Sequence, residues 1–307
     1  MTKISQSIFG VLGAVRFKDL VDFMKPKRSA RPKTPAMSQK QYQTTTLLVQ
    51  NRTVCTIQPL GDQPKIHMEV GLQAQREDRP QVHIVYFHGG GYSMEASGLH
   101  FALMKTLVKQ TGCALSYVDY PLAPEHTAPE TIAMSLEAYQ VLNEAYPTHK
   151  FLLMGDSAGG GLALALAMKI RDEARTNPGL NQPAQIILFS PWLDIGLSNK
   201  RIVEYEKRDV ILDAEALREI GDKYRGEIPA DHYLVSPKFG DLTGVGPVSI
   251  FYGTEEILYP DCVAFCEEQT RAGFAVTGYE YENMQHDWVI LPIEEAKKAI
   301  GEVCALI

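Results

Sequence analysis

The chain has 307 residues, of which 45% are hydrophobic and 22% are charged, a balance typical of a globular protein with a sizeable core rather than of a disordered chain. Its formal net charge of -7 argues against a general nucleic-acid-binding surface, so no nucleic-acid partner is expected. Single α/β domains commonly occupy about 200 to 250 residues, and the length therefore predicts one core domain with room for a lid.

The N-terminal segment is apolar but short. Residues 8–15 form an apolar run that falls far short of the ~20 residues needed to span a bilayer, so no stable membrane insertion is expected. The pattern favours a helix over about residues 5–24 that ends at Pro26. Residues 25–33 form a basic, proline-punctuated loop, which beside an amphipathic helix leaves contact with an anionic membrane surface open.

The cysteines indicate a reducing compartment. There are five of them, an odd number, and they form neither a Cys-x-x-Cys pair nor a cluster with histidine at metal-binding spacing. Cys262 and Cys266 lie one helical turn apart, and packing of small side chains explains that spacing more simply than a redox switch. We therefore expect a cytoplasmic protein without a metal site.

From residue 43 onward the pattern alternates between short strands and helices, which indicates a mostly parallel sheet covered on both faces. Strands are predicted at 44–49, 53–58, 82–87, 114–120, 151–154, 185–190, 248–252 and 276–281. Helices are predicted at 101–110, 130–145, 158–175, 214–225, 261–272 and 293–307. The helix at 214–225 follows no strand in this alternation, so residues near 195–226 are assigned to a cap segment outside the core.

A glycine-rich turn follows the predicted strand at 82–87. His88 is followed there by Gly89, Gly90 and Gly91, and consecutive glycines leave backbone N–H groups unshielded. We expect the N–H groups of Gly89 and Gly90 to donate to an oxyanion, while the His88 imidazole shapes the loop.

A second motif, Gly-Asp-Ser-Ala-Gly at residues 155–159, joins the predicted strand at 151–154 to the helix at 158–175. A serine between two glycines at such a junction is typical of a nucleophile elbow, in which the hydroxyl projects above the sheet. Ser157 is therefore the predicted nucleophile, and the N–H of Ala158 is the third predicted oxyanion donor. Together the two motifs predict a hydrolase.

A serine nucleophile needs a general base and a group that orients that base. In a hydrolase built on this elbow, the acid and then the histidine follow the serine along the chain. His232 and His286 are the only histidines after Ser157, and His286 follows the predicted strand at 276–281. His286 is therefore the predicted base.

Three carboxylates follow the predicted strand at 248–252 and compete for the role of the acid. Glu255 and Glu256 are adjacent, so they point in different directions and only one of them can meet His286. Asp261 comes directly after a proline and suits the first turn of the next helix, where a carboxylate complements the helix dipole. These residues by themselves leave Glu255 and Glu256 open.

With these motifs the chain resembles the bacterial hormone-sensitive-lipase-like esterases of the α/β-hydrolase superfamily. The resemblance extends over about residues 82–288, and Pro121 replaces the arginine usual in the family's VDYRLAPEH segment. Glu256 stands at the position of the aspartate in the family's G-x-x-D-P-L motif, so the resemblance selects Glu256 as the acid. The matching blocks are HGGG at 88–91, VDYPLAPEH at 118–126, GDSAGG at 155–160, SPWLD at 190–194 and GTEEIL at 253–258.

The resemblance implies an α/β-hydrolase fold, a mostly parallel central sheet flanked by helices, with a helical cap. Residues 1–42 are then an N-terminal cap segment and residues 43–307 the core domain, with the second cap segment near 195–226. The cap is favoured over membrane docking for the N-terminal helix, because N-terminal helices of this family cover the active site.

The activity that the resemblance implies is hydrolysis of small carboxylic esters with short- to medium-length acyl chains, through an acyl-serine intermediate. Ser157, Glu256 and His286 would form the triad, and no metal or organic cofactor is needed. An amidase or peptidase on the same scaffold stays open, because a triad alone does not distinguish an ester from an amide. A non-catalytic ligand-binding relative is disfavoured by His286, which such receptors have lost. A homodimer is left open.

Overall fold

An eight-stranded sheet forms the centre of the molecule. The computed structural model describes residues 42–50, 52–59 and 81–307; the predicted helix at 5–24 and basic loop at 25–33, with nearly all of the predicted N-terminal cap segment, lie outside them. The strands are β1 (Tyr42–Val49), β2 (Arg52–Pro59), β3 (Val82–Phe87), β4 (Ala114–Val118), β5 (Lys150–Asp156), β6 (Gln185–Phe189), β7 (Val248–Gly253) and β8 (Val276–Tyr281).

The strands are hydrogen-bonded in the order β1-β2-β4-β3-β5-β6-β7-β8. β1 pairs antiparallel with β2 and β2 pairs antiparallel with β4, whereas all the other neighbours are parallel. The carboxyl ends of β3 to β8 therefore meet at one edge of the sheet, which is where open α/β sheets bind their ligands. The mostly parallel sheet predicted from the sequence is confirmed.

Seven α-helices lie within the described residues: α1 (Gly98–Thr111), α2 (Ala128–Ala145), α3 (Ser157–Ala174), α4 (Ile202–Tyr205), α5 (Ala214–Arg225), α6 (Tyr259–Arg271) and α7 (Glu294–Leu306). Six of them were predicted, with ends that differ by three residues or fewer. α4 is a single turn and is too short to produce a helical period in the sequence. None of the helices in the described ranges is long and apolar enough to cross a membrane.

The start of α2 shows why helix ends are hard to predict. The prediction began the helix after Pro129, but the structure includes this proline in the first turn. Proline is tolerated there because an N–H in the first turn has no partner within the helix. The side chains of Thr127 and Glu130 then cap the turn reciprocally.

Two hydrophobic cores cover the two faces of the sheet. Alternate residues of β3 divide between them, since Val85 and Phe87 belong to the core that includes α2, α3 and α6, while Ile84 and Tyr86 belong to the core that includes α1 and α7. This is the period of two expected of a strand buried on both faces. The packed layers hold the ends of the parallel strands in fixed positions, and the loops that leave those ends carry the candidate site.

A long connection between β6 and β7 carries α4 and α5 and includes the predicted second cap segment. Three of its contacts are with loops at the carboxyl edge of the sheet. The ring of Tyr224 in α5 stacks on Tyr92, which follows β3, with ring centroids 3.6 Å apart. The Asp209 carboxylate accepts a hydrogen bond from the N–H of Ile257 after β7, at 2.9 Å. The side chain of Gln285, after β8, accepts one from the N–H of residue 210, also at 2.9 Å.

Candidate active site

Ser157 occupies a sharp turn between β5 and α3. Its φ of 51° lies in the left-handed region, which an L-residue adopts only where its surroundings impose it. The glycines on either side are required by close approach: a Cβ on Gly155 would overlap the carbonyl of Gly159, and a Cβ on Gly159 would overlap the carbonyl of Phe87. The predicted elbow geometry is therefore present.

The structure brings Ser157, His286 and Glu256 into one hydrogen-bonded chain. Ser157 Oγ lies 2.8 Å from His286 Nε2, and His286 Nδ1 lies 2.6 Å from Glu256 Oε2. A carboxylate only accepts hydrogen bonds, so Nδ1 carries a proton, and whenever the imidazole is neutral the lone pair of Nε2 faces the serine hydroxyl. All three residues are buried, and Glu256 is 0% exposed.

Glu256 is fixed through its second oxygen. Oε1 accepts hydrogen bonds from Ser190 Oγ and from the N–H of Gly253, each at 2.8 Å. The other two candidate acids lie elsewhere. Glu255 Oε1 is 3.4 Å from the hydroxyl of its neighbour Thr254, and the Asp261 carboxylate pairs with Lys238 Nζ at 3.1 Å.

The glycine-rich loop corrects one predicted role. The N–H of Gly89 donates to Asp156 Oδ2 at 2.9 Å, so it does not point toward Ser157 as a free donor. The prediction that Gly89 donates to the oxyanion is wrong for this structure, because its N–H anchors the loop instead. Gly90 and Gly91 have φ values of 110° and 59°, which glycine adopts without strain.

Asp156 is the anchor of that loop and is fully buried. Besides the Gly89 N–H, its carboxylate accepts a hydrogen bond from the Tyr86 hydroxyl at 2.5 Å and lies 3.1 Å from His100 Nε2. Burial raises the pKa of Asp156 on its own, but His100 outweighs it and the pKa lies below its ordinary value. The reciprocal effect of Asp156 raises the pKa of His100 against its burial. The pair is therefore an ion pair beneath the loop.

His88 shapes the loop, as predicted. Its Nδ1 donates to the carbonyl of Gly89 at 2.6 Å, and its ring stacks on Tyr120 with centroids 4.5 Å apart. The Tyr120 hydroxyl in turn donates to the His88 carbonyl at 2.5 Å. Burial lowers the pKa of His88 to about 4, so this histidine is neutral at physiological pH.

The electrostatic surroundings of His286 favour its charged form. Burial by itself lowers the pKa of His286, but the carboxylates of Asp287 and Glu256 outweigh it, and the pKa lies well above its ordinary value. Asp287 Oδ2 is 3.3 Å from His286 Nε2. Within residues 42–50, 52–59 and 81–307, no group of three or more His, Cys, Asp or Glu side chains could hold a metal ion.

Sequence reasoning missed three contributors to the site. Ser190 opens the SPWLD block, and that block was the only signal that could have drawn attention to it. His100 lies on a helix with nothing in its local pattern to link it to Asp156, 56 residues away. Asp287 was visible only as the neighbour of His286. Each contact joins residues distant in sequence or depends on a backbone angle, so no local pattern encodes it.

A serine on a nucleophile elbow, at the carboxyl edge of a mostly parallel sheet and with a histidine and a carboxylate behind it, defines an α/β hydrolase. The family model described as alpha/beta hydrolase fold matches residues 84–290. An acetyl-hydrolase from Streptomyces hygroscopicus is 33% identical over 222 residues, which cover 71% of this chain and 72% of the relative. An esterase from Acinetobacter venetianus is 34% identical over 225 residues, 72% of each chain.

A crystal structure of a hormone-sensitive lipase from a metagenome library superposes with a TM-score of 0.77 at 25% identity, covering 98% of this chain and 97% of that chain. The chain thus belongs to the alpha/beta hydrolase family and, within it, to the hormone-sensitive-lipase-like esterases, and it is a carboxylic ester hydrolase. This confirms the family and the fold that the sequence motifs predicted.

Proposed function

We propose that the protein is a serine carboxylesterase that hydrolyses small esters with short- to medium-length acyl chains, with Ser157 as nucleophile, His286 as general base and Glu256 as the acid that orients it. The observation that carries the proposal is the continuous chain of contacts from Ser157 Oγ to His286 and on to Glu256, at 2.8 Å and 2.6 Å. A free hydroxyl is a poor nucleophile at neutral pH, and this arrangement is the one that activates it.

In the acylation step the Ser157 proton moves to His286 Nε2 as Oγ attacks the ester carbonyl carbon and the carbonyl π pair moves onto its oxygen. The bond to the alkoxy group then breaks, and Nε2 returns the proton to the leaving alcohol. Water repeats the sequence on the acyl-serine and releases the acid. Glu256 holds the imidazole in the tautomer that both half-reactions require.

The oxyanion that forms in each step needs backbone donors. In the described part of the chain the N–H groups of Gly90 and Gly91 meet no acceptor. The N–H of Ala158 lies in the first turn of α3, where the helix supplies no partner. We therefore assign these three groups to the oxyanion hole, with Gly91 in place of the Gly89 expected from the sequence. Removing one such donor from a serine hydrolase typically costs about 10² to 10³ in kcat.

The preference for small acyl groups is supported by a relative, since the Streptomyces protein bears the name acetyl-hydrolase. The segment near 195–226 contacts the loops after β3, β7 and β8, which supports its role as the second cap segment. Residues 1–42 would form the other part of the cap. A cap of this kind excludes water and limits the length of the acyl chain.

Turnover of p-nitrophenyl esters from acetyl to long acyl chains, measured beside a matched panel of anilides, tests the proposal. We expect the highest kcat/KM on the shorter esters, little turnover of anilides, and loss of activity in Ser157→Ala. Preferential cleavage of anilides would make the protein an amidase. A folded protein that binds the esters without cleaving either panel would make it a ligand-binding relative.

A further inference from the structure

A second carboxylate faces the reactive nitrogen of His286. Asp287 Oδ2 lies 3.3 Å from His286 Nε2, the same atom that contacts Ser157 Oγ at 2.8 Å. Glu256 occupies the opposite nitrogen, Nδ1. The imidazole therefore lies between two carboxylates, of which the mechanism described above uses only one.

Asp287 reaches this position at the expense of its usual local contacts. It is the N-terminal cap residue of the short 3₁₀ helix Trp288–Ile290, where an aspartate commonly accepts a hydrogen bond from a backbone N–H one turn ahead. Here its side chain makes no such bond, and its backbone is left-handed with a φ of 53°. Its second oxygen, Oδ1, is buried and has no hydrogen-bond partner among the described residues.

The contact between Oδ2 and Nε2 has a direct consequence for the proton. A carboxylate oxygen and an unprotonated imidazole nitrogen are both acceptors, so facing each other at 3.3 Å they repel unless a proton lies between them. That proton is present when His286 is an imidazolium. It is also present at the moment in catalysis when Nε2 has taken the proton of Ser157 and not yet given it to the leaving alcohol.

We propose, resting on the proposed function above, that Asp287 is a positioning residue that stabilises the proton on His286 Nε2 and thereby sets the lower pH limit of ester hydrolysis. In the acylation step the Oγ–carbon bond forms, the hydroxyl proton moves to Nε2, and the new N–H lies against Asp287. The same attraction keeps Nε2 protonated in the resting enzyme at mildly acidic pH. A higher pH is then needed before Nε2 loses its proton and His286 can act as the base.

Other charged groups surround this pair. His286 also faces Asp209, which precedes α5, and Glu256, which follows β7. These two carboxylates favour the imidazolium as well. Neither of them contacts Nε2, so neither can accept a hydrogen bond from the proton on that nitrogen.

Asp287 faces Asp156 at the end of β5, together with His100 of α1 and Tyr86 of β3. Burial, reinforced by the charge of Asp156, raises the pKa of Asp287 to about 6, whereas His286 opposes the shift. Asp287 is therefore ionised, and able to hold the imidazolium, in the range just above that value.

Asp287→Asn tests the proposal with little change of shape, because asparagine also tolerates the left-handed conformation. Removing an opposite charge within hydrogen-bond distance lowers a histidine pKa by about one pH unit or more. The acid limb of kcat/KM should therefore move to lower pH, so that at pH 6.5, where Asp287 is still ionised in the wild type, the variant retains several-fold more of its own alkaline plateau than the wild type does.

Glu282→Gln is the matched control, since it removes an exposed carboxylate from the loop that carries His286. Its acid limb should coincide with that of the wild type. An Asp287→Asn variant that folds and keeps the wild-type acid limb would overturn the proposal. So would an equal shift in Glu282→Gln, because the effect would then be one of net charge.

A measurement on the resting enzyme removes any dependence on turnover or on the variant's stability. The imidazole of His286 is followed by NMR across the pH range in wild-type protein, and its midpoint is expected above the ordinary value of about 6.5. A midpoint at or below that value overturns the proposal even if Asp287→Asn cannot be prepared.

Ser157→Ala separates failure of the proposed function from failure of the role of Asp287. If Ser157→Ala still hydrolyses esters, the proposed function fails. If Ser157→Ala is inactive and the pH profile of Asp287→Asn is unshifted, only the role of Asp287 is rejected.

Discussion

Glu256 is held at both of its carboxylate oxygens, which fixes the longer side chain at the position where the family motif has an aspartate. The additional methylene gives the side chain more freedom, which would loosen the contact with His286. Ser190 Oγ and the Gly253 N–H remove that freedom by fixing Oε1, which leaves Oε2 directed at Nδ1. The position of the imidazole therefore depends on Ser190, which acts on it through the Glu256 carboxylate.

Glu256→Gln should lower kcat by roughly 10² to 10⁴, because the imidazole loses the charge that orients it and stabilises its protonated form. Glu255→Gln is the matched control and should cost less than about tenfold, since its carboxylate lies beside Thr254 rather than His286. Steady-state kinetics on one short-chain ester at the alkaline plateau measure both. The reverse ranking would move the acid to Glu255.

Residues with strong local signatures could be predicted, and residues defined by a single long-range contact could not. The two glycines around Ser157 predict the turn on which it lies, because a side chain at either glycine position would overlap the backbone. Which N–H of the glycine-rich loop is free depends on Asp156, and no spacing reveals that Gly89 is already bonded to it.

At the scale of single elements, a buried polar chain crosses three neighbouring strands. His83 Nε2 on β3 lies 2.7 Å from Ser116 Oγ on β4, which lies 2.7 Å from Thr56 Oγ1 on β2. His83 is fully buried and stacks on Phe151 of β5. Burial and the nearby His149 lower the pKa of His83 to about 3, so the strands pair around a neutral imidazole.

This histidine should make the fold sensitive to acid. The unfolded chain binds a proton at the ordinary pKa of about 6.5, while the folded chain does not until about 3, so stability is fully present above 6.5 and is lost progressively below it. The loss at pH 5 is about 2 kcal/mol from this residue. Urea unfolding at pH 8 and pH 5 should therefore give a smaller difference in His83→Gln than in the wild type.

His232→Gln removes an exposed histidine and should leave the pH dependence unchanged. Equal differences between pH 8 and pH 5 in wild type and His83→Gln would contradict the assignment. The strand itself was easy to predict, since a short run of apolar and aromatic residues precedes consecutive glycines. Its acid sensitivity was not, because it arises from the complete burial of the imidazole and from His149, which is 66 residues away.

At the scale of the whole molecule, the long connection between β6 and β7 contacts the loops after three strands, β3, β7 and β8, that surround the candidate site. The stacked rings of Tyr224 and Tyr92 link α5 to the glycine-rich loop, and the hydrogen bonds of Asp209 and Gln285 link the same connection to the loops that carry Glu256 and His286. A segment that contacts three loops at once coordinates their positions.

Tyr224→Ala should lower the free energy of unfolding by about 3 kcal/mol, as expected for loss of a large buried aromatic side chain. It should also lower kcat/KM, because the glycine-rich loop loses the ring that packs against Tyr92. Tyr224→Phe keeps the stacked ring and should behave like the wild type in both measurements. Denaturant unfolding and ester kinetics on the three proteins test this. An alanine variant with wild-type kinetics would show that the packing of α5 does not affect catalysis.

The architecture of the core was predictable because each strand and helix carries its own period, and parallel strands separated by helices admit few arrangements. The path of the long connection was not, since it is decided by contacts between aromatic and polar side chains far apart in sequence. The N-terminal cap segment 1–42 stays a prediction from the family resemblance.

The central claim, that Ser157 is the nucleophile of an acyl-transfer site, is tested most directly by covalent labelling. One equivalent of a fluorophosphonate should add a single adduct to the wild-type protein, mapped by peptide mass spectrometry to Ser157, and should abolish ester turnover. Ser157→Ala should take up no label and lose activity by about 10⁶, with its fold intact. Stoichiometric labelling of another serine in that variant, with ester turnover retained, would contradict the account.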